Sequence, residues 1–160
     1  ACYERAMTRS GQQLSGQVQE TTREIMDTET DPATQLEELV VAHYRGQMSN
    51  QDSSRLIMRE LLDNEQRAAK AGNWYLKPYL ETLVDTVVSM ASSGDVERAH
   101  ALALIYQLLG AAHYFAVSQP TLASIFGSAV LEDTIDCYEQ ELRYLIRARL
   151  GALDSPRGDI

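Results

Sequence analysis

The sequence predicts an all-α domain of six helices, and three observations support this prediction. Apolar residues recur three and four positions apart in every segment, and no segment shows the sustained alternation of a β-strand. A length of 160 residues, of which 44% are hydrophobic, suits one domain with a substantial core. Finally, the 33 residues from Ala99 to Leu131 contain no Asp, Glu, Lys or Arg, although 23% of the chain is charged.

The predicted helices follow one another with short breaks. The first covers about residues 2–26 and is polar, with a narrow apolar stripe. The second begins at Asp31-Pro32, where Asp suits the N-cap and Pro the first helical position. The third begins after Asp52 and ends near 71–73, the fourth covers 74–90, and the fifth covers 96–118 and is broken by Pro120. The sixth covers 131–150, so the domain spans 1–151 and residues 152–160 form a flexible tail.

The fifth predicted helix is apolar nearly all round between residues 101 and 117. Such a helix either spans a membrane or is covered by protein on every side. The run of about 17 residues is at the lower limit for a span. It also contains Gln107 and His113, and no cluster of Lys or Arg flanks it. We therefore expect a core helix, covered in part by a second copy of the chain, in a homodimer that does not enter a membrane.

Charge and cysteine content exclude several classes of function. The net charge is −9, with 14 basic and 23 acidic residues spread along the chain, so this surface repels phosphate and is not expected to bind nucleic acid directly. Two cysteines, Cys2 and Cys137, do not form a disulfide framework. The first fifteen residues lack the apolar segment of a signal peptide, so we expect a cytoplasmic protein.

Catalytic and metal-binding motifs are scarce. Glu97-x-x-His100 is the one step that resembles a di-iron ligand pair, but such centres need two of these steps and two further glutamates. His43 and His113 have no Glu three positions earlier, and Glu97 in a first helical turn already favours the helix dipole. Nucleophile elbows, paired cysteines and phosphate loops are not found. We therefore expect that the chain is not an enzyme and that it binds neither a cofactor nor a metal ion.

Polar and aromatic residues within apolar helical faces are the remaining candidates for function. Any one of them could simply be a satisfied core residue, but several from different helices suit an apolar cavity with a few convergent polar groups. Met48, Met58 and Met90 would add adaptable filling. The predicted ligand-binding residues are His43, Tyr44, Gln47, Met58, Tyr79, Tyr106 and His113.

The order, spacing and lengths of these helices resemble the C-terminal regulatory domain of the TetR family of bacterial transcription regulators. The resemblance covers about residues 1–151 and is carried by the segments ACYERAM, DPATQLEELVVAHY, SSRLIMRELLDNE, WYLKPYLETLVDTVVSM, LALIYQLLGAAHYFAVSQP and LEDTIDCYEQELRYLIRARLG. The helix-turn-helix signature of the family is not in this chain. The abrupt helical start at Ala1 suggests a fragment from which the preceding DNA-binding domain is missing.

The resemblance implies an effector-binding and dimerisation domain of a regulator, most simply a repressor. The first, second, fourth and fifth predicted helices would enclose an apolar or aromatic small molecule. The fifth and sixth would form a four-helix seam with a partner copy, and the first would pass the signal to the DNA-binding domain. The expected seam residues are Leu108, Ala112, Leu131, Ile135, Tyr138, Leu142 and Leu145.

A second hypothesis stays open: a helical-bundle adaptor that binds another protein and no small molecule. An exposed apolar groove over a solid core would favour the adaptor, whereas a closed apolar cavity would favour the sensor.

Overall fold

The computed structural model describes residues 16–29, 31–52, 54–55, 58, 77–90 and 97–152. They form α1 (16–28), α2 (Pro32–Ser49), α3 (Lys77–Met90), α4 (Arg98–Phe126) and α5 (Ser128–Gly151). These ranges contain no strand, so the predicted all-α class is confirmed for them. Most of the third predicted helix, the start of the first and almost all of the expected tail lie outside the described residues, although 51–52, 54–55 and 58 are helical.

Helix α2 begins as its sequence predicts. Asp31 adopts an extended backbone conformation, and its carboxylate accepts a hydrogen bond from the backbone N–H of Thr34 at 3.0 Å and from the Thr34 hydroxyl at 2.7 Å. Pro32 occupies the start of the helix, where its missing N–H has no helical partner to lose. The Thr34 bonds also hold the pKa of Asp31 below its ordinary value.

Helix α4 continues through Pro120, contrary to the predicted break at that residue. Proline removes one backbone hydrogen bond and crowds the carbonyl four residues earlier. Leu122, two residues further on, packs against the core, so the helix still makes a core contact beyond the proline. The helix ends only at Gly127, whose N–H donates to the carbonyl of Ala123 at 2.9 Å.

A single residue, Gly127, separates α4 from α5. Its φ of 87° and ψ of 158° lie in a region that is open essentially to glycine alone. Helix α5 therefore starts at Ser128, three residues before the predicted start at Leu131. The Tyr138 hydroxyl donates to the carbonyl of Ala111 at 2.7 Å, and its ring stacks on Phe115, so α4 and α5 run antiparallel as a helical hairpin.

Helix α2 lies at the centre of the bundle, in contact with α3, α4 and α5, and α4 also contacts α3 and α5. The short helix α1 packs Val18 and Ile25 against the same core. The buried apolar residues of this core come from four helices: Leu36, Leu39, Val40, Tyr44, Tyr79, Leu83, Val84, Val87, Ala101, Leu104, Ile105, Leu108, Ala112, Phe115, Leu142, Ile146 and Leu150.

By length and composition alone, α4 could cross a membrane, since its most apolar window has a mean hydropathy of 1.4. Its inward face is nevertheless buried against the other helices, through residues such as Leu104, Ile105 and Leu108. A core helix of a water-soluble bundle passes the same test, so this property is weak evidence for a span.

Candidate functional site

Three of the predicted ligand-binding residues come together from three helices. The ring of His43 on α2 stacks against Tyr79 of α3, with centroids 5.8 Å apart and planes 16° apart. The ring of His113 on α4 lies 6.2 Å from His43. The Tyr79 hydroxyl donates to the carbonyl of Leu39 at 3.0 Å, which holds this ring in place between α2 and α3. We call this set the histidine cluster.

The histidine cluster is uncharged at neutral pH. Burial, and then the proximity of His113, lower the pKa of His43 to about 4. Burial also lowers the pKa of His113, although its Nε2 lies 3.3 Å from the carbonyl of Ser54, a contact that favours the protonated form. Burial raises the pKa of Tyr79, so this phenol stays protonated. The cluster can therefore exchange hydrogen bonds but offers no fixed charge.

Three amides lie beyond the two imidazoles along the chain: Gln47, one turn after His43 on α2, then Gln51, and Gln119 on α4. The side-chain oxygen of Gln47 is buried and has no hydrogen-bond partner. Gln119 of α4 is buried, accepts from Gln51 at 2.7 Å, and directs its N–H toward the thioether of Met48 at 2.9 Å. Gln47 was a predicted site residue and Met48 was expected as apolar filling of the cavity, whereas Gln51 and Gln119 were not predicted. The polar Gln119 inside a charge-free helix is the signal that could have found them.

Tyr44 does not face the histidine cluster. Its ring packs against Tyr138 of α5 and Phe115 of α4, at 5.3 and 6.4 Å between centroids. Burial, and then the neighbouring Tyr138, raise the pKa of Tyr44 to about 12. Tyr44 therefore contributes to the packing of α2 on the α4–α5 hairpin, and its predicted contact with a ligand stays a prediction. Met58 is helical and half-buried, and its described surroundings neither support nor contradict a ligand contact.

Tyr106 corrects the predicted site. It is 59% exposed, so its side chain faces outward instead of lining a cavity with His113. The two residues lie seven apart on α4 and share a nominal helical side. His113 lies beside α2 and Ser54. Tyr106 lies two turns earlier on α4, and most of its ring is exposed.

Three of the expected seam residues, Leu108, Ala112 and Leu142, are buried in the core of a single chain. Their side chains are covered without a partner, which corrects their predicted role. Three others are half-buried against the same core: Leu131, Ile135 and Tyr138. Leu145 is 42% exposed and stays available to a partner.

One surface that is open to a partner lies on the outer side of α4, and a second lies at the α4–α5 corner, where Ile125, Phe126 and Val130 are exposed. Tyr106, Gly110 and Tyr114 follow one another at four-residue spacing and are exposed, Tyr114 to 71%. Leu102 precedes them in the same register and is 43% exposed. Since Ala99–Leu131 contains no charged side chain of Asp, Glu, Lys or Arg, this surface is polar only through hydroxyls, amides and His100. We call Leu102, Tyr106, Gly110 and Tyr114 the α4 outer face.

An ionic network joins α2 to α5 on another side of the bundle. The carboxylate of Glu37 is buried and accepts from Arg147 at 2.6 and 2.7 Å and from Arg143 at 2.7 Å. Burial alone would raise the pKa of Glu37, but the two guanidinium groups outweigh it and hold this pKa below its ordinary value. Arg143 also binds Glu38 and Glu139, and Arg45 binds Glu139.

This network borders an open cleft of about 830 Å³ between the start of α2, the end of α3 and the end of α5. None of the predicted ligand-binding residues lines the cleft. Its ionised groups are Asp31, Glu37, Glu38, Arg143 and Arg147, and Glu37 and Glu38 already bind the two arginines. The cleft is therefore separate from the histidine cluster and differs from it in charge.

Among the described residues, no group of three or more His, Cys, Asp or Glu side chains lies close enough to hold a metal ion. Glu97 and His100 are both exposed at the start of α4. Comparison of the chain with protein-family models, with curated proteins and with solved structures finds no match. The TetR-like resemblance of the sequence therefore stays a prediction.

Proposed function

We propose that this chain is the effector-binding and dimerisation domain of a bacterial transcription regulator, acting in the cytoplasm without catalysing a reaction. The observation that carries the proposal is the uncharged polar and aromatic cluster of His43, Tyr79 and His113, with the unpaired buried amide oxygen of Gln47 beside it. A mostly apolar pocket with a few polar groups is the usual composition of a small-molecule site. The effector is an apolar or aromatic molecule.

The α4 outer face supports the dimer. Exposed tyrosines on an uncharged helix surface are typical of the centre of protein interfaces, where aromatic residues are enriched and charged residues are depleted. Gly110 leaves open space around its Cα, which permits close approach of a second helix. In a dimer, each copy of the chain would present this face to the other, so the exposed tyrosines of both copies would be covered.

The mechanism follows from the position of α1. Its apolar side chains Val18 and Ile25 pack against the same core as the ligand-facing helices, so its placement depends on how that core is filled. A ligand that fits only one placement shifts the dimer toward it. A change in operator affinity of tenfold to a hundredfold needs about 1.4 to 2.8 kcal/mol of differential binding. DNA would be bound by a separate helix-turn-helix domain.

Two alanine variants test the proposal, because the proposed ligand site and the proposed dimer surface use different residues. A ligand is first found by thermal-shift screening with uncharged aromatic compounds. His113→Ala should weaken its binding by tenfold or more in calorimetric titration and leave sedimentation unchanged. Tyr106→Ala should weaken dimerisation and leave ligand affinity unchanged.

The adaptor is the second candidate, and the same α4 outer face favours it. A protein that sediments as a monomer at micromolar concentration and binds no compound in the screen would support the adaptor and contradict the sensor.

A further inference from the structure

The α4–α5 corner exposes three large apolar side chains on the two sides of a one-residue turn. Ile125 is 65% exposed, Phe126 62% and Val130 51%. Gly127 alone separates α4 from α5, so these side chains stay close together at the end of the hairpin. The corner lies about 16 Å beyond Tyr114 along α4 and is therefore separate from the α4 outer face. Exposed apolar residues that lie next to one another mark an interaction surface.

Carboxylates lie beside the corner along the first turns of α5. Asp133 follows Val130 by three residues, and Asp136 follows Asp133 by three, so successive side chains are neighbours on the helix surface. Glu132 precedes Asp136 by four residues and is its neighbour in the same way. All three carboxylates are exposed, and none forms an ion pair within the part of the chain that the structure describes. The apolar corner therefore has an acidic border whose charge is not neutralised.

This acidic border disfavours three of the partners that an apolar corner could have. A second copy that docked its own corner by two-fold symmetry would bring like carboxylates together, and they would repel one another. Nucleic acid and anionic lipid headgroups carry phosphates, which the same carboxylates repel. A protein surface with Lys or Arg around an apolar centre instead attracts the carboxylates while it covers the apolar side chains.

We propose that the α4–α5 corner docks into a second, different protein, whose apolar pocket accepts Ile125 and Phe126 and whose rim places Lys or Arg side chains opposite Asp133 and Asp136. An aromatic anchor at the centre and charged residues at the rim are the usual arrangement of a protein interface. The anchor supplies most of the affinity, whereas the solvated rim charges select the partner and speed its association. The inference does not depend on the proposed effector-binding function.

Three peptides of one pattern serve as probes for this chemistry. The lysine–leucine peptide is LKKLLKLLKKLLKL. In the second, LEELLELLEELLEL, glutamate replaces lysine, and in the third, SKKSSKSSKKSSKS, serine replaces leucine. Each is blocked at both ends and carries an uncharged dye, and its binding to the full chain is measured by fluorescence anisotropy. We expect the lysine–leucine peptide to bind about tenfold more tightly than either of the others, because it alone offers both apolar contacts and positive charge.

Phe126→Ser locates the apolar part of the surface. This variant should lower the affinity for the lysine–leucine peptide about tenfold, because it removes the aromatic anchor. Tyr144→Ser is the matched control, since Tyr144 is an exposed aromatic residue of α5 away from the corner. The control should leave the affinity unchanged.

The variant with both Asp133→Asn and Asp136→Asn locates the acidic part. It should lower the affinity for the same peptide about fivefold and weaken the dependence of binding on salt, because two screened charge pairs are lost. Glu20→Gln together with Glu24→Gln removes two charges from exposed positions on α1 and should change neither property. Since this second variant does not alter the apolar side chains, it tests the surface even if Phe126→Ser lowers the stability of the fold.

Several other outcomes would overturn the inference. Failure of the lysine–leucine peptide to bind, or equal binding of the serine–lysine peptide, would show that the corner adds nothing to the attraction of a chain with a net charge of −9. Binding to phosphatidylcholine vesicles that Phe126→Ser abolishes would assign the corner to a membrane. A dimer that Phe126→Ser dissociates in sedimentation would assign the corner to a second copy. None of these results bears on the effector-binding function.

Discussion

His43 shows how one residue can make the stability of this fold depend on pH. Its imidazole is neutral in the folded chain because burial, together with His113, lowers its pKa to about 4, whereas an unfolded histidine has a pKa of about 6.5. The groups around it are Tyr79, which stays protonated, and His113, whose pKa is lowered as well. At a pH between these two pKa values, His43 is therefore protonated in the unfolded chain and neutral in the folded chain.

We expect the free energy of unfolding to fall as the pH is lowered from about 6.5 toward 4. The loss from His43 alone is about 2 kcal/mol between pH 7 and pH 5, as an order of magnitude. Denaturant titration at several pH values measures it. His43→Phe should flatten this part of the profile, and His100→Gln, at an exposed position, should not. An unchanged profile in His43→Phe would contradict the prediction.

The predicted site residues also show what helical spacing can and cannot decide. His43, Tyr79 and His113 were correctly expected to lie together, because polar rings on apolar faces of neighbouring helices meet in the core. Tyr106 was placed wrongly, although it lies almost directly above His113 on α4. The exposure of Tyr106 depends on where the neighbouring helices begin and end, and the spacing of residues along one helix does not predict that.

At the scale of the helices, Gly127 determines how α4 turns into α5. Its φ of 87° and ψ of 158° let the chain reverse direction within one residue. A β-carbon at this position meets no atom within 4 Å, so the cost of a side chain there is conformational and not steric. The antiparallel pairing of Tyr138 with Phe115 and Ala111 depends on this reversal.

Gly127→Ala should therefore destabilise the chain by about 1–3 kcal/mol, because alanine rarely adopts this backbone conformation. Gly46→Ala is the matched control. Gly46 is a solvent-exposed residue within α2, away from its first turn, and an added β-carbon there also meets no atom within 4 Å. The control should stabilise the chain by about 0.5–1 kcal/mol. The two expected effects have opposite signs, so denaturant unfolding distinguishes them: a Gly127 variant as stable as the Gly46 variant would contradict the argument.

The ionic network between α2 and α5 is a second feature that depends on how two helices pack against each other. Glu37 lies on the buried side of α2, where a sequence pattern predicts an apolar residue. It is tolerated because Arg143 and Arg147, one turn apart on α5, both reach its carboxylate. Both arginines lie more than one hundred residues away in the sequence, so the sequence of α2 alone does not predict these ion pairs.

At the scale of the whole molecule, the α4 outer face is the surface that the proposed dimer would cover. An obligate dimer buries about 2,000 Å² or more in total. Exposed Leu102, Tyr106 and Tyr114 would supply its apolar centre, with Leu145 of α5 as a further contact.

Tyr114→Glu should dissociate this dimer, because it places a charge at the centre of an uncharged surface. Sedimentation velocity should show a monomer for the variant and a dimer for the wild type at micromolar concentration. The wild-type unfolding midpoint should rise with protein concentration, and that of the variant should not. Gln140→Glu adds the same charge on the exposed side of α5 and should remain dimeric. A monomeric wild type would contradict the dimer.

The sequence by itself determined the helical class and the start of α2. It included His43, Tyr79 and His113 among seven candidates, but it did not separate them from Tyr44 and Tyr106, which lie elsewhere. The helical class and the start of α2 depend on local rules: helical period and an Asp-Pro cap. Only the tertiary structure decided that α4 continues through Pro120, that Leu108, Ala112 and Leu142 are covered by their own chain, and that Glu37 is neutralised from α5. Each of these depends on the neighbour that a residue meets across the fold, and burial by a distant segment is a property of packing, not of spacing along the chain.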